Sequence, residues 1–111
     1  MKLITKEIER AFEKQGHTGG MNPDDIKIIC KLFYPAGRAT WYLYERETED
    51  LFWCFTILNE PELAECGLVS LKELKEFRGA FNIGIERDYH FKPFSCSLTK
   101  VRTVIKNGGY I

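Results

Sequence analysis

Residues 39–58, ATWYLYERETEDLFWCFTIL, carry the strongest fold signal in the chain. Both ends of this stretch, residues 39–45 and 51–58, are rich in aromatic and β-branched side chains, which favour strands. The polar run between them, residues 45–50, is typical of a hairpin loop. We therefore predict two antiparallel strands joined by a short connection.

Further apolar segments on both sides extend this hairpin into a larger sheet. Residues 26–34 form another strand-like run, which ends at a turn that begins with Pro35. Residues 66–69 predict a short fourth strand, and residues 83–91 predict a last one. The short connections favour an antiparallel β-meander.

Three helices are predicted around the strands. The first covers residues 5–14, with Thr5 as its N-cap and an apolar stripe at a spacing of four residues. The second begins at Ser70, which forms a capping box with a glutamate three residues later, and ends at Gly79. The third covers residues 97–106. The core-facing side chains of the second helix are predicted to be Leu71, Leu74 and Phe77.

The predicted fold class is therefore α+β, a small antiparallel β-meander sheet with about three helices. The chain of 111 residues is long enough for one hydrophobic core, so we predict a single domain over residues 1–111. No stretch reaches the ~20 apolar residues of a membrane span, and the charged N-terminus does not resemble a signal peptide. We expect a cytoplasmic protein without membrane contact.

The charge balance bears on the class of partner. The chain has 16 basic and 16 acidic residues, whereas dedicated nucleic-acid-binding proteins are usually basic. After Asp88 the acidic side chains end and a mildly basic tail begins. Its basic residues are Lys92, Lys100, Arg102 and Lys106. A protein partner is therefore favoured over nucleic acid.

The four cysteines give no sign of a cofactor. None lies in a C-x-x-C pair, so the zinc-ribbon and thioredoxin patterns are absent. Cys30 and Cys54 lie in apolar runs and are predicted to be buried. Cys96, between two serines in a predicted loop, is the thiol to test for reactivity, although no base stands beside it in the sequence. We predict neither a cofactor nor a metal ion.

One strand offers a candidate for chemistry. If residues 85–91 are extended, their alternation places Glu86, Asp88 and His90 on one face. Two carboxylates and an imidazole suit metal binding or proton transfer. A single strand does not supply the converging groups that catalysis needs, so we favour a solvated face on which Arg87 balances the charge.

The aromatic residues offer a candidate binding surface. Aromatic residues make up 14% of the chain, and Trp41 and Tyr44 lie in the central predicted strand. A sheet this small does not readily bury rings on both of its faces. Either helices cover the second face, or a partner does.

Several blocks of the sequence, in order from Met1 to Phe94, resemble a bacterial family known only as domain of unknown function 2958. The blocks are KLFYP at 31–35, ATW at 39–41, EPEL at 60–63, SLKEL at 70–74, RG at 78–79 and IERD at 85–88. Members of this family look like cargo of plasmids and integrative elements, often near conjugation or antirestriction genes. The resemblance implies no catalytic residues.

Together these observations favour a non-enzymatic, protein-binding accessory factor of a mobile element, with antagonism of a host defence system as one concrete form. The candidate binding residues are Trp41, Tyr44, Arg78, Glu86, Arg87, Asp88 and His90. Two alternatives stay open. One is a metal-dependent enzyme that uses Glu86, Asp88 and His90, and the other is a nucleic-acid-binding module that uses the basic C-terminal helix.

Overall fold

The structure is a computed structural model that describes residues 2–111, so that Met1 lies outside the described residues. It confirms the small antiparallel α+β fold. The elements in chain order are α1 Lys6–Gln15, β1 Cys30–Phe33, β2 Thr40–Arg46, β3 Leu51–Ile57, β4 Glu65–Ser70, α2 Leu71–Glu76, β5 Glu86–Arg87 and α3 Leu98–Lys106. Single 3-10 turns stand at Pro61–Leu63 and Ala80–Asn82.

The five strands form one sheet in the order β4-β3-β2-β1-β5, and all pairs are antiparallel. The first four strands form the predicted meander. The last strand returns to the free edge of β1, where Leu32 pairs with Arg87. This pairing joins two of the sequence blocks that carry the family resemblance.

Two predicted strands are shorter than the sequence pattern indicates. Residues 26–29 lie outside β1, because Ile28 exchanges main-chain hydrogen bonds with Phe94 and Cys96 in the segment before α3. The predicted strand at 83–91 is reduced to the two residues of β5, since the chain turns at Tyr89 and His90. The turn ends the side-chain alternation on which the candidate metal face depended.

Helices cover both faces of the sheet. We call the face that packs against α1 and α2 the α1 face, and the opposite one the α3 face. The α1 face is built around Ile8, Phe12, Leu32, Trp41, Leu43, Phe52 and Leu74. The α3 face is built around Ile28, Tyr42, Tyr44, Phe55, Leu98, Val101 and Ile105.

A β-bulge interrupts β2 near its end. The register with β3 passes from Leu43 opposite Cys54 to Glu45 opposite Trp53, so that Tyr44 is the extra residue. Bulges reorient nearby side chains and are frequent beside functional sites. Here the bulge brings Glu45 to the same side as Tyr44 and towards the glycine-rich loop that follows α1.

The second helix begins as predicted but ends earlier. The hydroxyl oxygen of Ser70 accepts a hydrogen bond from the amide of Glu73 at 3.2 Å. Phe77 is the C-cap rather than a core residue, and its exposed ring packs edge-on against Tyr34 at 5.3 Å between centroids. Gly79 lies beyond the helix, where a Cβ would stand 1.9 Å from the Tyr34 hydroxyl, so the close approach requires glycine.

Candidate functional site

The aromatic residues of β2 are part of the core. Trp41 is buried in the α1 face and Tyr44 in the α3 face, because helices cover both sides of the strand. The sequence left two options for the second face, a helix or a partner, and the structure shows a helix. The rings of Trp41 and Tyr44 are therefore inaccessible to a partner in this conformation.

Arg78 and Glu86 meet at a surface cleft of about 530 Å³ beside α2. The Arg78 guanidinium donates to the main-chain carbonyls of Lys75 and Phe77, at 2.8 and 2.6 Å. These bonds hold the side chain in the lining of the cleft. The lining residues are Lys2, Leu3, Lys75, Arg78, Gly84, Ile85 and Glu86.

Beside this cleft, a short loop displays Phe81. The phenylalanine is 95% exposed, and it adopts a left-handed backbone conformation at φ 57°, as does Asn82 at φ 59°. The loop is closed by main-chain hydrogen bonds from Gly79 to Ile83 at 2.8 Å and from Asn82 to Gly79 at 3.1 Å. Sequence reasoning missed this residue, although a phenylalanine in the glycine-flanked stretch RGAFNIG is a signal that was available.

Arg87 and Asp88, which are adjacent in sequence, point to opposite sides of the sheet. The Arg87 guanidinium donates to the main-chain carbonyls of Lys2 and Leu3, and it stacks 5.0 Å from the ring of Tyr89. It therefore holds the start of the described chain against the sheet. Asp88 faces β1 instead, where its Oδ2 lies 3.5 Å from Lys31 Nζ.

Lys31 is a buried cation in the middle of the fold, with 2% of its side chain exposed. Its ammonium donates to the hydroxyl of Tyr110 at 3.0 Å and to the main-chain oxygen of Ile111 at 2.8 Å. The same oxygen accepts from the hydroxyl of Tyr42 at 3.0 Å. Burial raises the pKa of Tyr42, so this hydroxyl stays protonated and remains a donor.

The sequence did not single out Lys31, because a lysine in a strand-like run usually lies at a solvated position. Burial of an ammonium is costly unless the charge is paired and hydrogen-bonded. Asp88 supplies the opposite charge, and Tyr110 and Ile111 accept hydrogen bonds from the ammonium. The residues beyond α3 are therefore an integral part of the α3 face.

In the described residues, Glu86, Asp88 and His90 do not bring their ligand atoms close enough together for one ion. The His90 amide donates to Asp88 Oδ1 at 2.9 Å, whereas the other oxygen of Asp88 faces Lys31. Within residues 2–111, three other side chains do have their ligand atoms close enough together to hold one ion. These are His17, Glu45 and Glu47.

One of the predicted thiol environments differs from expectation. Cys30 and Cys54 are buried as predicted, but Cys96 is buried too, and burial raises its pKa. Burial raises the pKa of Cys30 to about 12, against a smaller opposing effect of Arg87. Cys66 on β4 is the exposed thiol. The prediction that Cys96 is the thiol to test is therefore wrong.

The basic side chains of the C-terminal helix face solvent, as the sequence indicated. Lys100, Arg102 and Lys106 are exposed on α3. Arg102 and Lys106 line a shallow cleft of about 450 Å³ together with Pro23. No helix of the described chain is long and apolar enough to span a bilayer.

Comparison with known proteins places the chain in a family. No curated protein and no solved structure shows significant similarity to it. A family model described as "Protein of unknown function (DUF2958)" matches residues 3–110, nearly the whole chain. The blocks at 31–35 and 85–88 that carried the resemblance form the β1–β5 pair and contain the Lys31–Asp88 ion pair. The chain therefore belongs to the DUF2958 family of proteins of unknown function.

Proposed function

We propose that the chain is a non-enzymatic protein-binding module, and that its partner docks on the loop that carries Phe81. The observation that supports this most directly is an almost fully exposed phenylalanine on a hydrogen-bonded loop. Exposed aromatic rings on ordered backbone are typical anchors of protein interfaces, since little conformational entropy is lost when they bind.

The backbone of the loop adds a second argument. A left-handed conformation costs an L-residue about 1 kcal/mol or more, and a bulky side chain tolerates it less well than asparagine or glycine does. Phe81 accepts this cost while its ring contacts almost nothing in the chain. A partner that buries the ring would supply the compensating contact.

The charges beside the loop define the chemistry of the partner. Three of the residues that line the adjacent cleft, Lys2, Lys75 and Arg78, are basic, and one, Glu86, is acidic. Complementary charge at the rim of an interface speeds association and selects the partner. We therefore expect a protein with an apolar pocket for Phe81 and acidic residues around it.

The test is a pull-down from host lysate with the wild-type chain and two variants. Phe81→Asn removes the ring and retains a residue that tolerates the left-handed conformation. Leu63→Asn, at a strongly exposed apolar position in another part of the molecule, is the matched control. A protein retained in near-equal amount by the wild type and by Leu63→Asn, but lost with Phe81→Asn, would support the proposal. Equal retention by all three proteins, or none by any, would reject it.

The family resemblance motivates a more specific setting. We propose that the partner belongs to the host of a plasmid or integrative element, and that binding antagonises a host defence. In that case, expression of the chain raises the efficiency with which an incoming plasmid is established in a restricting host. Phe81→Asn should abolish this gain in efficiency. A gain that persists in Phe81→Asn would mean that the effect does not depend on the Phe81 loop.

A second candidate function is nucleic-acid binding by α3. It is supported by the exposed Lys100, Arg102 and Lys106, and by a neighbouring cleft with no acidic residue in its lining. Salt-sensitive retention on heparin, reduced in an Arg102→Gln/Lys106→Gln variant, would support this function. Passage through heparin without retention at low salt would dismiss it.

A further inference from the structure

A cluster of potential metal ligands lies at the end of β2, away from the Phe81 loop. His17 belongs to the glycine-rich loop after α1, and Glu45 and Glu47 lie at the bulge and just beyond the strand. One ligand atom from each of the three side chains falls within 4.8 Å of the others. The closest pair is His17 Nδ1 and Glu45 Oε2, at 3.1 Å.

The two oxygens of Glu45 have different roles. Oε1 accepts hydrogen bonds from the Thr18 amide at 2.8 Å and from the Thr18 hydroxyl at 2.5 Å. These bonds fix the carboxylate and turn Oε2 towards His17. Burial raises the pKa of Glu45, but the hydrogen bonds from Thr18 and His17 outweigh it and hold the pKa below its ordinary value. The carboxylate is therefore ionised near neutral pH, as a metal ligand must be.

Glu47 is also oriented by a partner outside the group. The indole nitrogen of Trp53 donates to its Oε2 at 3.0 Å. Thr18 and Trp53 thus hold the two carboxylates in the way that outer-shell residues orient ligands in metalloproteins. This arrangement depends on the bulge, because Glu45 then lies opposite Trp53.

The three side chains differ in exposure, since Glu45 is buried and the other two are exposed. The Glu45 side chain is 6% exposed, whereas that of His17 is 85% exposed. An ion bound here would lie against a buried carboxylate and would retain water on its outer side. Its positive charge would also offset the repulsion between the carboxylates of Glu45 and Glu47, which have oxygens within 4.8 Å of each other.

We propose that His17, Glu45 and Glu47 form a binding site for a divalent transition-metal ion such as Zn²⁺ or Mn²⁺. Imidazole nitrogen combined with carboxylate oxygen suits these ions, whereas Ca²⁺ and Mg²⁺ prefer an all-oxygen set. Three protein ligands with open outer positions are typical of sites that bind water or a further ligand at the ion. The site is independent of the proposed Phe81 surface.

The test is direct titration of the purified chain, without an affinity tag, with ZnCl₂ and with MnCl₂. The background carries Cys66→Ser, because an exposed thiol also binds zinc. Isothermal titration should give one ion per chain with at least one of the two salts. His17→Ala and Glu47→Gln should each weaken binding by about tenfold or more. His90→Ala, at an exposed histidine outside the site, should leave binding unchanged.

Thermal unfolding provides a second readout. The melting temperature of the background protein should rise with ion concentration, and that of His17→Ala should not. Both substituted ligands are exposed, so these variants are expected to fold, which circular dichroism verifies. Absence of binding to the folded protein, or binding that both substitutions leave intact, overturns the proposal.

Discussion

Replacement of Asp88 by Asn removes the negative charge that faces the buried ammonium of Lys31 and keeps the shape of the side chain. In the native protein the two groups lie 3.5 Å apart, and the lysine side chain is 2% exposed. Breaking a fully buried pair on one side costs about 3–5 kcal/mol. Because the Asp88 side chain is 26% exposed and water screens it, we expect a loss of about 2 kcal/mol in the free energy of unfolding.

Lys31→Met, by contrast, should be far less harmful. It retains most of the buried stem and removes the charge, and Tyr42 continues to donate to the oxygen of Ile111. Asp88 is then left partly hydrated, with one oxygen still bonded to the His90 amide. We expect a cost of about 1 kcal/mol or less, since the charge that remains is on Asp88, which is 26% exposed and can be solvated by water.

The double variant completes the test. In the Lys31→Met background, Asp88→Asn should cost little, which gives a coupling energy of about 2 kcal/mol between the two sites. Chemical denaturation with urea measures the midpoint and slope for all four proteins. A stability of Asp88→Asn within about 0.5 kcal/mol of the wild type, or an equal cost in both backgrounds, would show that the ion pair does not stabilise the fold.

Three further predictions follow from the packing. Gly79→Ala should lower stability by about 1–3 kcal/mol in urea denaturation, because its Cβ meets the Tyr34 hydroxyl, whereas Gly19→Ala, in open space, should be nearly neutral. Titration of the native protein with a thiol reagent should modify Cys66 rapidly and the three buried cysteines only on unfolding. Burial raises the pKa of Glu45, but hydrogen bonds have a larger opposite effect, so the pKa in the folded state lies below that in the unfolded state. The ionised carboxylate therefore stabilises the fold above the unfolded-state pKa of ~4.3. That stability is lost as the pH falls through the folded-state pKa, and Glu45→Gln should flatten this part of the curve of stability against pH. Equal losses of stability in Gly79→Ala and Gly19→Ala would contradict the first prediction, and fast modification of Cys96 in the native protein would contradict the second. The third would be contradicted if the acidic part of the stability curve were the same in Glu45→Gln and the wild type.

Local sequence patterns were sufficient for the elements whose hydrogen bonds are local. The helices α1 and α2 begin after the predicted caps Thr5 and Ser70, because each cap bonds an amide three residues away. The hairpin of β2 and β3 follows from two strand-forming runs with a polar loop between them. The meander as a whole then required only short connections.

The sequence pattern failed where a distant segment competes for the same backbone or buries the same side chain. Residues 26–29 satisfy the strand pattern but bond mainly to the segment before α3, and the turn after Arg87 ends β5. Trp41 and Tyr44 are buried because helices cover both faces. Periodicity cannot show which segment will cover a face, since it reports only which side of a strand is apolar.

Sequence patterns alone predicted the fold class, the helix caps, the strand meander and the family. The pairing of distant polar groups depends on the three-dimensional fold. Lys31 joins Asp88 across the β1–β5 pair, and His17 meets Glu45, 28 positions away, through a loop and a bulge. The physical reason is that caps and periodicity act over a few residues, whereas these contacts depend on chain segments that only the packed core brings together.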